Sequence, residues 1–361
     1  LLPGRLYVWM GESDLTSVDM KTYIIRLAED ADFHPIIDFL KREWNPQHIY
    51  VKNPDFFRYE HCIDGRINAL IAIEKETGEL HGVMLMYPLQ RELNGCDIFG
   101  GLWKVSSACK TPMLGYKMVQ SVKELTGVKG HSGVGINPST AGVIFRRIKE
   151  QHVGCLNHYY LTYGCREYRI ADIPDNIRSH PAAGKAKFKM LETPEQFKTS
   201  FNLDQYRSCP NFKDFWYIKK RYFEHPIYKY IAFGIQLDTK IRGVFIAREI
   251  SLFGNKILRI VDFLGDDCSI SECGDAFHEL ILNNFYEYVD FYEYGLPDSY
   301  LLKAGFILKD ESNTIIPNYF EPYIKKNIEL WFHTPYQDTR IFKGDGDQDR
   351  PNMISGAGEK S

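Results

Sequence analysis

Two strand-to-helix turns carry the residues best suited to chemistry. The first, Lys110-Thr111-Pro112-Met113-Leu114-Gly115, is flanked by Lys104 and Lys117. A helix start presents unpaired N–H donors and about half a positive charge, so such a turn with lysines nearby suits a phosphate-bearing ligand. The second, Ser271-Glu272-Cys273-Gly274-Asp275-Ala276, keeps two small residues but sits among Asp266, Asp267, Glu272 and Asp275, whose carboxylates repel a diphosphate. Gly100-Gly101 interrupts a strand-like run over 97–107; glycine there forfeits packing and signals a bulge or a close approach. The eight cysteines contain no C-x-x-C pair and read as reduced thiols, not as a zinc site. Asp345, Asp347 and Asp349 imitate the start of a calcium loop, but Arg350 and Gly356 stand where Gly and Glu are required, so no metal is expected.

Hydrophobic periodicity supplies the elements that must position these turns. A strand at 23–27 precedes a helix with apolar residues at 33, 36, 37 and 40. Strands near 68–74, 81–87 and 97–107 form an antiparallel meander, followed by a helix over 113–125, a strand near 132–136 and a helix opened by Asn137-Pro138-Ser139. The order then recurs: strand and helix at 188–201, strands near 230–237, 242–249 and 258–264, a helix near 275–286, a strand near 289–294 and a short helix near 299–303. Gly82 and Gly243 lie 161 residues apart, Gly115 and Ala276 each lie 33 beyond them, and Gly135 and Gly295 are offset by 160, so the spacing predicts an internal repeat. The expected organisation is a leader over 1–20, a first unit over 21–170, a linker over 171–187, a second unit over 188–333 and an extended or disordered tail over 334–361.

The chain of 361 residues, 44% hydrophobic, can bury the cores of two domains, and its formal charge of −3 lacks the basic excess of a DNA-binding protein. Its apolar stretches fall short of the ~20 residues that cross a bilayer, so a soluble, cytoplasmic protein is expected. The 23 Phe, 23 Tyr and 5 Trp read as core and strand packing.

The first turn, the second turn and the repeated element order together resemble the GNAT superfamily of acyl-CoA N-acyltransferases, as a tandem of two units over about 21–333. The resemblance implies an α/β (α+β) fold of two mixed sheets flanked by helices. It implies coenzyme A as the acyl carrier, with its pyrophosphate on the main-chain N–H groups of an Arg/Gln-x-x-Gly-x-Gly/Ala turn. Lys110 and Gly115 stand at the ends of that motif, and Met113 takes the usual first Gly. Val105, Lys110, Thr111, Met113, Leu114, Gly115 and Asn137 are then the cofactor-binding residues, in the first unit only. Phe99, Gly100, Gly101 and Trp103 would line the cleft where the family's fourth strand splays from the fifth. The family's Tyr acid is absent: Phe145 and Leu301 occupy its two places. A proton would come from Ser139, Tyr159, Tyr160, His158 or water, and Glu92, Asp97 and His131 are candidate bases.

The resulting expectation is a metal-independent acyl-CoA N-acyltransferase acting on a small-molecule amine, with an amino sugar of a surface-glycan precursor, hence polysaccharide biosynthesis, as the favoured acceptor. The alternatives are a FemABX-like transferase using charged tRNA, disfavoured by the near-neutral charge, and a non-catalytic binding module. No DNA or membrane partner is expected.

Overall fold

The computed structural model describes residues 17–165, 167–180, 182–310 and 313–352. β1 (Ser17–Asp19) and β2 (Tyr23–Glu29) lead into α1 (Phe33–Glu43), α2 (Ile49–Lys52) and α3 (Pro54–His61). The strands β3 (Cys62–Ile63), β4 (Arg66–Glu74), β5 (Leu80–Pro88) and β6 (Asp97–Val105) follow. Then come α4 (Leu114–Thr126), β7 (Gly130–Val134), α5 (Ala141–Arg146), β8 (His152–Cys155) and β9 (Asn157–Leu161). The second half runs β10 (Lys187–Met190), α6 (Pro194–Ser200), α7 (Phe215–Ile218), β11 (Ile231–Leu237), β12 (Lys240–Leu252), β13 (Asn255–Gly265), α8 (Gly274–Asn284), β14 (Tyr286–Tyr294), α9 (Asp298–Lys303) and β15 (Ile307–Leu308). Four short strands close it: β16 (Tyr319–Phe320), β17 (Tyr323–Ile324), β18 (Trp331–Thr334) and β19 (Ile341–Phe342).

The repeat expected from glycine spacing is present as two mixed sheets. Each is antiparallel except for one parallel pair, β6 with β7 in the first and β13 with β14 in the second. Gly82 and Gly243 lie in the equivalent strands β5 and β12, and Gly135 and Gly295 both follow the parallel strand with positive φ. The helices form where apolar side chains recur on one face. In α1, Phe33, Ile36, Phe39 and Leu40 are buried; in α4, Leu114, Met118, Val122 and Leu125 are buried, and Gly127 ends the helix at φ +68.

The sheets exchange strands, which the sequence boundaries did not anticipate. The first sheet runs β1-β2-β4-β5-β6-β7-β18-β8 and the second β10-β11-β12-β13-β14-β9-β15. β9, expected in the first unit, sits between β14 and β15, and β18, from the far end of the chain, sits between β7 and β8. Only Leu156 separates β8 from β9, and its N–H bonds to Leu330 O at 2.9 Å, so one extended segment passes from sheet to sheet. One core spans the junction: Phe99, Val134 and Phe332 of the first sheet pack with Val244, Val261 and Tyr292 of the second. Each such buried large side chain contributes roughly 1.5–3 kcal/mol, which makes the sheets one cooperative body.

Three boundaries are corrected. Ser17–Asp19 pairs with β2, so the leader does not extend to residue 20; residues 1–16 lie outside the described residues. The linker is fastened to the second unit: Ile170 and Ala171 donate N–H bonds to Glu287, and Ala186 is buried in that unit's core. The tail is not disordered over 335–352. Ile341, Phe342, Lys343, Asp345 and Asp349 are all buried, while 353–361 lie outside the described residues. Its carboxylates, which in sequence only imitate a calcium loop, have buried cationic partners: Asp345 meets Lys213 at 2.7 Å and Asp349 meets Arg248 at 3.0 Å.

Candidate active site

The parallel pair β6/β7 holds register only from Asp97↔Gly130 to Gly100↔Gly133. Beyond Gly100, β6 runs on to Val105 without β7, while β18 covers the other side of β7 at Gly133 and Val134. The register of β6 against β5 also slips here: Met86 faces Gly100 and Met84 faces Trp103, so Leu85 opposes two residues. This is the bulge expected at Gly100-Gly101, and it opens a fork between β6 and β7. The two glycines act on different faces. A Cβ on Gly100 would stand 2.8 Å from His131 Nε2, at the fork, whereas one on Gly101 would stand 2.7 Å from the Tyr87 ring. A side chain at Gly101 would therefore meet Tyr87, not the fork. Phe99 is fully buried in the core between the sheets and is likewise not a substrate contact.

Trp103, Phe145, His131 and His333 converge at the fork. The Phe145 ring stacks on His333 with centroids 3.4 Å apart and lies 6.1 Å from Trp103; His131 meets His333 edge-on at 5.0 Å. Trp103 packs so closely on Gly115 that a Cβ there would stand 2.8 Å from the indole, and its Nε1–H is buried without a hydrogen-bond partner. A buried donor left unpaired costs about 1–3 kcal/mol, so a ligand acceptor fits this position. His333 was missed by sequence reasoning because it arrives on the exchanged strand β18. Burial lowers His131 to about 4, aided by the charge of Lys123, and drives His333 well below its ordinary value. Both are neutral imidazoles near pH 7, so His131 is a weak base.

The turn from β6 into α4 lies beside the fork. The Lys117 N–H makes a helical bond to Met113 O, so the N–H groups of Leu114, Gly115 and Tyr116 have no partner within the helix. Met113 is exposed and holds φ +64, the left-handed conformation that explains why a glycine suits that position. Lys110 is exposed, Val105 half-buried, and the Thr111 hydroxyl lies 3.1 Å from that of Thr22. Glu43 was not identified from sequence. Against the cost of burial, bonds from Ser107 N–H and the Ser106 hydroxyl hold its carboxyl below the usual range and pin the turn to α1. Ser107 N–H is thereby committed and is not a phosphate donor.

The remaining expected site residues lie elsewhere. Asp97 begins β6 and accepts bonds from Asn211 N–H and the Tyr336 hydroxyl, which makes it an anchor. Glu92 is exposed in the β5–β6 loop. Ser139 and Asn137 are exposed in the turn before α5, which starts at Ala141 and not at Pro138; Asn137 Oδ1 accepts the Ser139 N–H. Tyr159 lies in the second sheet and donates to Asp298 at 2.8 Å, carried away from the fork by the strand exchange, as is Tyr160.

The C-terminal segment meets the fork from the opposite side. A Cβ on Gly346 would lie 3.4 Å from Gly100 O, and one on Gly135 would overlap the Gln348 amide. Beyond it, Asn45, Gln47, Glu321, Asp347 and Arg350, with Tyr319, Pro322 and Ile324, line an open groove of about 460 Å³.

The second fork is closed. β19 pairs with β14 through Glu293↔Phe342, and Gly344 N–H bonds to Val261 O of β13 at 2.7 Å, so the C-terminal segment fills the gap. The start of α8 is covered by the linker: Gly184 N–H bonds to Asp275, Ala186 N–H bonds to Glu272 O, and a Cβ on Gly274 would overlap Ala182 O. Among the described residues no cluster could hold a metal ion, and no helix is long and apolar enough to cross a membrane.

No protein-family profile matches the sequence, and no curated protein matches it. The fold does match solved structures. A GCN5-related N-acetyltransferase from Anabaena variabilis aligns over 86% of this chain and 72% of its own, at 10% identity and a TM-score of 0.50. A conserved protein of unknown function from Enterococcus faecalis V583, described as a probable N-acyltransferase, aligns over the same shares at 9% identity and a TM-score of 0.51. At these identities the likeness establishes the fold: the chain is built as a tandem of GNAT-like units.

Proposed function

We propose that the first unit is an acyl-CoA-dependent N-acyltransferase and that the second is a scaffold. The observation that carries this reading is the asymmetry of the two helix starts: the lysine-flanked turn before α4 is exposed at Lys110 and Met113, whereas the start of α8 is covered by the linker and the β13/β14 gap is filled by the C-terminal segment. One fold relative is described as an N-acetyltransferase and the other as a probable N-acyltransferase, which agrees with the reading. The residues present suit acyl-CoA. The Leu114, Gly115 and Tyr116 N–H groups, with Lys110 nearby, would hold the diphosphate, and Trp103 Nε1–H and the fork would take the pantetheine arm. Coenzyme A supplies the activated thioester.

A small amine would enter by the groove at Asn45, Gln47 and Glu321, whose lining mixes these polar groups with Tyr319, Pro322 and Ile324. Of its two carboxylates, Asp347 is matched by Arg350 at 3.7 Å, and Glu321 accepts the Tyr228 hydroxyl at 2.8 Å. No phenol reaches the fork from α5, where Phe145 packs on His333, so rate would come from holding amine and thioester together and from main-chain N–H polarisation of the carbonyl. Transfer from charged tRNA has no structural observation behind it.

Calorimetry with coenzyme A on the Lys110→Glu variant tests the reading. A charge-assisted bond contributes about 1.5–3 kcal/mol, so affinity should fall at least about tenfold. Unchanged affinity would remove this site.

A further inference from the structure

The closed second fork leaves a cavity of about 210 Å³ at its mouth, between the ends of β13 and β14, the 203–213 segment and residues 338–342. Its walls are apolar at Leu203, Phe212, Phe263 and Phe342. Two oxygen acceptors among its lining residues are buried and unpaired. Asn211 is 7% exposed; its N–H bonds to Asp97 and its Nδ2 to Thr339, which leaves Oδ1 without a partner. Asp267 engages Arg340 through Oδ2 at 3.0 Å, and its Oδ1 is buried without a hydrogen-bond partner.

The cations in the lining are already matched. Arg340 is held by Asp267 and by Gly265 O, and Lys213 lies between Asp262 and Asp345 at 2.6 and 2.7 Å. Asp338, exposed at the rim, adds a further negative charge. Native interiors rarely leave buried acceptors unmet, and two in one cavity call for a ligand that brings donors. An anion would add a third acceptor and meet no uncommitted cation in this lining. A neutral alcohol brings one donor; a primary ammonium brings three, together with the charge that Asp267 and Asp338 favour.

We propose that this cavity is a binding site for a small primary ammonium ion with an aromatic or branched aliphatic body. The site is separate from the first fork, and it stands whether or not the first unit transfers acyl groups. Its carboxylates favour a cation over a diphosphate.

Cys209 lines the cavity and is exposed, which gives a local reporter. The full chain, without any acyl-CoA, is titrated with phenethylamine, with 2-phenylethanol as its neutral isostere and with phenylacetate as the anion. Binding is read by calorimetry and by the rate at which monobromobimane labels the Cys209 peptide in mass spectrometry. The expected result is that phenethylamine binds at least about tenfold more tightly than either control and slows Cys209 labelling several-fold. Asp267→Asn should weaken the amine about tenfold. Because Asp267 also holds Arg340, Asn211→Gly provides a second variant: it tolerates the φ of +58 at that position and removes Oδ1. It should weaken the amine while Lys110→Glu leaves amine binding unchanged. Equal affinity for amine, alcohol and carboxylate would overturn the proposal, as would amine binding indifferent to both variants. Loss of coenzyme A binding alone would bear only on the first fork.

Discussion

Met113 shows how a single backbone angle connects a motif to its geometry. Its side chain is 59% exposed and buries little, yet its φ of +64 places it where non-glycine residues are strained. Met113→Gly should therefore raise stability by roughly 0.5–1 kcal/mol, the left-handed penalty less the entropy of glycine, as measured by chemical denaturation. A destabilised variant would mean that the Met side chain does more than the backbone angle indicates. The same scale separates Gly100 from Gly101, alike in sequence. Sequence placed both at the cleft as one marker of an opening, but successive residues of a strand point to opposite faces, and only Gly100 turns toward His131. The strand-to-helix turn that carries Lys110 was legible as an element, since such a turn is local. Asp97 and Tyr159 were misread because their partners, Tyr336 and Asp298, lie more than a hundred residues away.

Among the elements, those with a strong local period were legible: α1, α4, α8 and the two meanders fall close to their expected ranges. The exchanged strands were not. β9 and β18 are short and take their places only through pairing with β14 and β7, contacts that no local pattern encodes. The C-terminal segment was misread for an electrostatic reason. Its Gly and Asp content resembles a solvated tail, but Lys213, Arg221 and Arg248 wait for it in the interior: Arg221 donates to Gly344, Gly346 and Asp349 carbonyls. Deleting residues 341–352 would expose the contacts of Ile341 and Phe342, at roughly 1.5–3 kcal/mol each, and leave Arg248 without Asp349, at about 3–5 kcal/mol for that broken buried pair, while Lys213 keeps Asp262 and Arg221 keeps Glu60. That approaches the whole stability of a typical domain. The truncated chain should lose cooperative thermal unfolding, and a truncation that kept the full-length midpoint would contradict the integral role of this segment.

For the whole molecule, stability should depend on acid through buried neutral histidines. Burial lowers His61 and His225 to about 3 and His131 and His158 to about 4. With unfolded values near 6.5, the unfolded chain binds more protons below that pH, so the stability these groups contribute is present above about 6.5 and falls as pH drops toward 3. Glu293, raised to about 7 by burial, and Asp345, raised to about 6, act in the opposite sense between about 7 and 4 and offset part of the slope. Denaturation midpoints should decline from pH 6.5 to 4, and a flat profile would show that these imidazoles are not buried as described. The central claim, that two equivalent folds have one working fork, is tested most directly by a crystal structure of the protein with acetyl-coenzyme A. The account predicts one molecule per chain, its diphosphate at the Leu114–Tyr116 N–H groups and its thioester arm between β6 and β7 beside Trp103. Density at Gly274 and along β13 and β14, with the linker and β19 displaced, would contradict it.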